Sequence, residues 1–110
     1  MQPKFNLWIE KDGKVVLSAW RVQLLETIEA AGSISAAAEQ LRLPYRRAWE
    51  KVQEIEKALG AKVVETAVGG KHGGGAHLTP AGRRAIAQFH QFASGFEAEV
   101  ARRYRDAFGN

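Results

Sequence analysis

GSISAAAEQLRLPYRRAWEKVQEIEKAL, running from Gly32 to Leu59, decides the fold. Gly32 stops a preceding helix, because glycine takes the left-handed conformation at a helix end at no steric cost. Ser33 or Ser35 can cap the next helix, and Ala36, Ala37, Ala38 and Leu41 follow. Small alanines let so short a helix press closely on its neighbours. Leu43 and Pro44 break the chain again, and proline suits a helix's first turn, where its missing N–H would have no partner. A third helix is expected from about Pro44 to Leu59, with Tyr45, Ala48, Trp49, Val52, Ile55 and Leu59 as its buried stripe and Gly60 as its stop. Two helices joined by a short turn, the second opening on cations, read as a helix-turn-helix.

Upstream, Phe5 to Glu10 and Val15 to Ser18 are short apolar-rich runs around Lys11-Asp12-Gly13-Lys14. An Asp-Gly pair between two such runs signals a β-hairpin. Ser18 then caps a helix whose apolar stripe is Trp20, Leu24, Leu25, Ile28 and Ala31. Downstream, residues 62–68 read as a strand and His77-Leu78 as part of a second. The glycine-rich GGKHGGG (Gly69 to Gly75) between them makes a wing. Thr79 caps a last helix with Pro80 as its first residue, expected to run as one piece to about Ala107. The fold class is mainly α with small β-hairpins: a winged helix-turn-helix with an N-terminal hairpin and a long C-terminal dimerisation helix. One domain spans 1–110, divided into a hairpin (1–18), three helices (19–59), a wing (62–78) and the dimerisation helix (79–108).

The bulk composition fits this reading. With 110 residues and 45% of them apolar, the chain can bury a modest core. A net charge of +4 suits a polyanionic partner. Without cysteine there is no disulfide, thiolate metal site or cysteine nucleophile. The charged residues Lys4, Glu10, Lys11, Asp12 and Lys14 exclude a signal peptide and a membrane span from the start of the chain, so a cytoplasmic protein is expected. No nucleophile–base–acid constellation is present, and His72, His77 and His90 lie without evident carboxylate partners, so neither an enzyme nor a metal site is expected.

Arg42, Arg46, Arg47 and Lys51 fall within ten residues, opposed only by Glu50. A helix N-terminus adds free N–H groups and partial positive charge. Guanidinium forks match O6 and N7 of guanine or grip phosphate. A solvated face would carry similar charges, and Arg46 with Glu50 is an ordinary i,i+4 pair. The surrounding order of helix, turn, helix and wing favours DNA. Arg46 and Arg47 are read as base contacts and Lys51 and Lys71 as backbone contacts, with the Tyr45 hydroxyl reaching a phosphate. Ser33, Ser35, Trp49 and His72 complete the expected set, although Trp49 also reads as a half-buried packing residue.

The glycine loop is no nucleotide cradle. The patterns GxxxxGKS/T and GxGxxG both fail, and both need a strand-to-helix turn. A hairpin tip whose backbone approaches the sugar-phosphate wall fits better, as does a loop with no partner at all. In the last helix Ile86, Phe89, Ala93, Phe96 and Val100 are spaced 3, 4, 3, 4, with Phe92 and Tyr104 widening the stripe. Such a seam usually meets a copy of itself, and a two-fold dimer is expected; folding back on its own domain is the other outcome. Gly95 is its weak point.

GSISAAAEQLRLPYRRAW and VETAVGGKHGGGAHLTPAGRRAI together resemble the N-terminal DNA-binding domain of the ModE family of molybdate-responsive transcriptional regulators, within the LysR-like winged-helix group. The resemblance implies a homodimer on operator DNA, with the recognition helix opening on Tyr45, Arg46, Arg47 and Trp49 and the wing on Gly69 to Gly75. Pro44 departs from the Ser or Thr common in the family and removes a side-chain cap. Family members carry molybdate-binding domains after the last helix, where this sequence ends at Asn110. The expectation is a stand-alone regulator without cofactor, with molybdate acting only through a separate sensor protein. The competing expectation is a protein-interaction adaptor that uses the scaffold and the apolar last helix without DNA.

Overall fold

Asp12 and Gly13 take φ of 53° and 77°. Two consecutive left-handed residues are what a type I′ turn requires. They fold β1 (Trp8–Lys11) antiparallel onto β2 (Lys14–Ser18). The computed structural model describes residues 1–67 and 74–109. Ile9 pairs with Leu17 and Glu10 with Val15, so Val16 is an extra residue on β2. This bulge lets the consecutive Val16 and Leu17 both turn inward, where strict alternation would expose one of them.

Three helices follow. Ser18 caps α1 (Ala19–Ala31) by accepting from the Arg21 N–H, and Gly32 ends it at φ 83°. Val22, Leu24, Leu25 and Ile28 are buried, whereas Trp20, expected in the stripe, is exposed. Ser33, not Ser35, caps α2 (Ile34–Gln40), accepting from the Ala36 N–H at 3.0 Å. Ala37 and Ala38 are buried, as close packing demands. Arg42 turns the chain at φ 58° and Pro44 caps α3 (Tyr45–Leu59) without a side-chain bond. Its ψ of 142° keeps Pro44 outside the helix, one residue short of the expected start. Ala48, Val52 and Ile55 form the inward stripe of α3. Tyr45 and Trp49 do not join it: they are 54% and 45% exposed. Successive helical residues turn by about 100°, which carries both rings to the rim of the buried face and beyond.

The wing strands are shorter than the sequence suggests. β3 (Val64–Thr66) pairs antiparallel with β4 (Ala76–Leu78), while Lys62 and Val63 lie outside the ladder. Carboxylates on the helices secure the base of the wing. Glu56 Oε2 accepts from the Val63 and Val64 N–H groups at 2.9 and 3.3 Å, and Glu29 Oε2 accepts from Leu78 N–H. The Ala76 N–H donates to the Gly32 carbonyl at 2.8 Å, tying β4 to the α1–α2 turn.

Thr79 opens α4 (Pro80–Ala93), accepting from the Gly82 N–H at 3.0 Å and donating to the Lys62 carbonyl at 2.6 Å. The expected single helix over 79–108 is two helices. Ser94 is extended at ψ 130° and Gly95 left-handed at φ 88°, and α5 (Phe96–Phe108) starts afresh. A mid-helix glycine costs about 1 kcal/mol, and here its freedom is spent on a bend. Phe89 lies in the core and Ile86 and Ala93 pack against it, whereas no residue of α5 is buried. The N-terminal segment lies along α5: the Tyr104 hydroxyl donates to the Met1 carbonyl at 3.3 Å, and Phe5 meets Phe96 edge-on at 6.5 Å. The molecule measures 58 × 28 × 22 Å with a radius of gyration of 16.6 Å. A compact chain of this length has about 13 Å. Helix α5 is an arm.

Candidate nucleic-acid interface

The buried stripe of α3 fixes which side chains face out. With Ala48, Val52 and Ile55 held by the core, the opposite face carries Arg46, Trp49, Glu50 and Gln53. These sit at i, i+3, i+4 and i+7, one row on a helix surface. Arg46 Nε donates to Glu50 Oε1 at 3.1 Å along that row. Arg47 stands on its flank, exposed, with no carboxylate within ion-pair distance among the described residues. Tyr45 projects from the first turn. Pro44 offers no side-chain cap, and its carbonyl accepts from the Arg47 N–H at 3.0 Å and the Ala48 N–H at 3.3 Å.

Lys51, expected to contact the DNA backbone, lies on the side of α3. Its side chain is only 27% exposed, and Nζ donates to Glu54 Oε1 at 3.4 Å. The same oxygen accepts from Arg21 Nη2 at 2.8 Å, so one carboxylate joins α1 to α3 and holds Lys51 on the side of the helix. Partial burial works to raise the Glu54 pKa, but the Lys51 charge and the hydrogen bonds from Arg21 and Lys51 together hold it below the ordinary value. Ser33 is half-buried with its hydroxyl accepting the capping bond, whereas Ser35 is exposed. Lys71 and His72, and most of the glycine loop, lie outside the described residues.

The row also contains a residue that the sequence reading passed over. Gln53 shares the exposed face with Arg46 and Trp49, and counting seven residues on from Arg46 finds it. The histidines differ from expectation as well. His77 Nε2 lies 3.4 Å from Glu65 across the wing strands, and His90 Nε2 lies 3.2 Å from Glu26 between α4 and α1. Both are exposed pairs of two groups; among the described residues no three His, Asp or Glu side chains gather as metal ligands would. None of the described helices is long and apolar enough to cross a membrane.

The expected dimer seam divides in two. Phe89 is in the monomer core, so it cannot also face a partner. Phe92 and Phe96 are exposed and pack edge-to-face at 5.7 Å, while Val100 and Tyr104 are half-buried. Phe108 is exposed near the end of the arm, stacked on Tyr104 at 5.0 Å. Part of the polar side of α5 is paired within the helix, since Glu99 and Asp106 both accept from Arg102 and Glu99 also accepts from Arg103.

The sequence profile of the bacterial regulatory helix-turn-helix proteins of the lysR family matches residues 20–83. Over 79 residues the chain is 49% identical to the molybdenum-pterin-binding protein MopB of Rhodobacter capsulatus, covering 72% of this chain and 29% of that one. It is 37% identical over 86 residues to the DNA-binding transcriptional dual regulator ModE of Escherichia coli K12, covering 78% and 33%. It therefore spans about a third of the length of these relatives. In three dimensions it is similar to the DNA-binding domain of BenM, solved in complex with benA site 1 DNA, with a TM-score of 0.60 at 19% identity over 86% of this chain and 100% of that one. That likeness is one of fold.

Proposed function

The chain belongs to the lysR family of bacterial regulatory helix-turn-helix proteins, and from that premise we propose that it is a transcriptional regulator that binds double-stranded DNA sequence-specifically as a homodimer. The observation that carries this reading is the outward row of Arg46, Trp49 and Gln53 on α3, backed by the buried Ala48, Val52 and Ile55. A helix held by one face to a core and armed on the other is what the major groove admits. Arg46 and Gln53 supply the groups that read guanine and adenine edges, and the Trp49 ring supplies an apolar surface for a thymine methyl. Arg47, on the flank, and Ser35 contact phosphate; Tyr45 does so through its hydroxyl. Lys51 and Ser33 support the site from behind, Lys51 through Glu54 and Ser33 through its cap.

Lys71 and His72 on the loop between β3 and β4 are the proposed wing contacts to the DNA backbone. Both strands start from a base fixed to α1 and α3 by Glu29 and Glu56. Two copies joined through Phe92, Phe96, Val100 and Tyr104 would set two α3 helices on one duplex, about 34 Å apart or a multiple of that, and so require a pseudo-palindromic operator. Such a protein works in the cytoplasm without a cofactor of its own.

The test is selection of genomic fragments by the purified chain, followed by titration across salt. Specific fragments with a shared inverted repeat, and affinity falling steeply with salt, are the expected result. A chain that passes unretained through heparin and duplex columns at low salt is an adaptor, and the regulator reading is then wrong.

A further inference from the structure

Away from the DNA-facing row, an open cleft of about 620 Å³ lies between the β1–β2 turn and the C-terminal half of α3. Ligand sites commonly measure about 300–1,000 Å³. Lys11 and Lys14 stand on its hairpin side and Lys57 on its helix side, with Arg21 also lining it. The lysines are arranged against their own interest. Lys11 and Lys14 are directly opposite partners on the two strands, and like charges so placed destabilise a hairpin. None of Lys11, Lys14 and Lys57 has a carboxylate within ion-pair distance among the described residues. Arg21 differs from them: its side chain is 10% exposed and its Nη2 donates to Glu54 Oε1 at 2.8 Å, so it lines the cleft as a paired cation.

The carboxylates of the cleft do not settle the balance. Glu54 is shared between Arg21 and Lys51, and Asp12 is the other acid lining the cleft. Four cations against two carboxylates leave two positive charges on the lining. A phosphate monoester carries about −1.5 to −2 at neutral pH and presents three acceptor oxygens. Val15, Ala58 and the lysine stems add an apolar wall. We propose that this cleft is a binding site for a small organic phosphate, with its head between Lys11, Lys14 and Lys57 and its apolar body against Val15 and Ala58. Lys57 lies about 16 Å along α3 from Arg46, so the site is separate from the DNA-facing end of the helix. The inference stands whether or not the chain binds DNA.

Phenyl phosphate is the probe, followed by nuclear magnetic resonance of the lysine and arginine side chains in the full chain. Saturable shifts confined to Lys11, Lys14, Arg21 and Lys57 are expected. In the double variant Lys14→Gln/Lys57→Gln, affinity should fall about tenfold or more, since two charge-assisted contacts are lost. Lys4→Gln should bind as the parent does. Unchanged thermal unfolding of the double variant shows that the fold survives; if it does not survive, the single variant Lys57→Gln, on an exposed helix face, takes its place. Shifts that never saturate or that spread over all lysines overturn the proposal. So does a double variant that binds normally, equal affinity for the monoanion phenylacetate, or a response of these lysines to duplex DNA and not to phenyl phosphate.

Discussion

The Arg46–Glu50 pair joins side chains that are 88% and 43% exposed. Ion pairs in such surroundings contribute about 0–1 kcal/mol, so exchanging Glu50 for a guanine edge costs Arg46 little. A bidentate base contact is worth about 1–3 kcal/mol of discrimination. Arg46→Ala should therefore lose about that much at one base position and little elsewhere. Arg47→Ala should weaken all sequences alike and flatten the salt dependence, as loss of a phosphate contact does. Titration across operator variants separates the two; equal losses at every position for Arg46→Ala would make it a phosphate contact as well. A second residue-scale prediction concerns the support of the wing. A Cβ at Gly82 would stand 2.3 Å from the Val63 carbonyl oxygen, and that oxygen accepts from the Thr79 N–H. Neither backbone can yield without breaking this bond. Gly82→Ala should cost about 1–3 kcal/mol or more, read as a lower midpoint in urea. An unchanged midpoint would mean that α4 shifts freely on the wing base.

Local chemistry made several elements legible from the sequence. Asp12-Gly13 names its own turn, and Ser18, Thr79, Gly32 and Gly60 act on bonds within a few residues. What is not legible depends on partners elsewhere in the fold. The Lys51–Glu54 pair is local, at i,i+3 on one helix, but the link of Glu54 to Arg21 of α1 is not. Trp49 reads as core because an apolar stripe alone does not say how wide a face its neighbours cover. The Gly95 bend was missed because apolar spacing runs through it without a change of register. Helix α5, beginning after that bend, has its own pH signature. Glu99 in its first turn takes hydrogen bonds from Arg102 and Arg103, which hold its carboxyl well below the usual 4.5, at about 2. A depressed carboxylate stabilises the folded form above its unfolded pKa and stops doing so as pH falls through the folded one. Helical Cα shifts of residues 97–106 should therefore be constant above pH 4.5 and decay from there toward about 2. Glu99→Gln should abolish most of that acid transition. Its persistence would remove Glu99 as the cause.

At the scale of the whole molecule, the arm must be reconciled with a core that does not need it. The core closes around Leu24, Leu25, Ile28, Ile55 and Phe89, yet Phe92 at the end of α4 and Phe96 and Phe108 on α5 remain exposed. A protruding helix with exposed aromatics is poorly stabilised alone, and a second copy is the occupant that its heptad-like stripe favours. The two halves of the expected seam then behave oppositely. Phe89→Ala should cost about 3–5 kcal/mol, because it opens a cavity within one chain. Phe92→Ser with Phe96→Ser should leave unfolding of the core nearly unchanged and convert a dimer to a monomer in sedimentation equilibrium. The same double variant should lose about a hundredfold in affinity for an operator with two half-sites, and little for a single half-site, because the effective concentration of the second reading head disappears. A dimer that persists in this variant, or a parent chain that is monomeric at the concentrations where it binds its operator, would remove the arm from the interface and leave its aromatics to another protein.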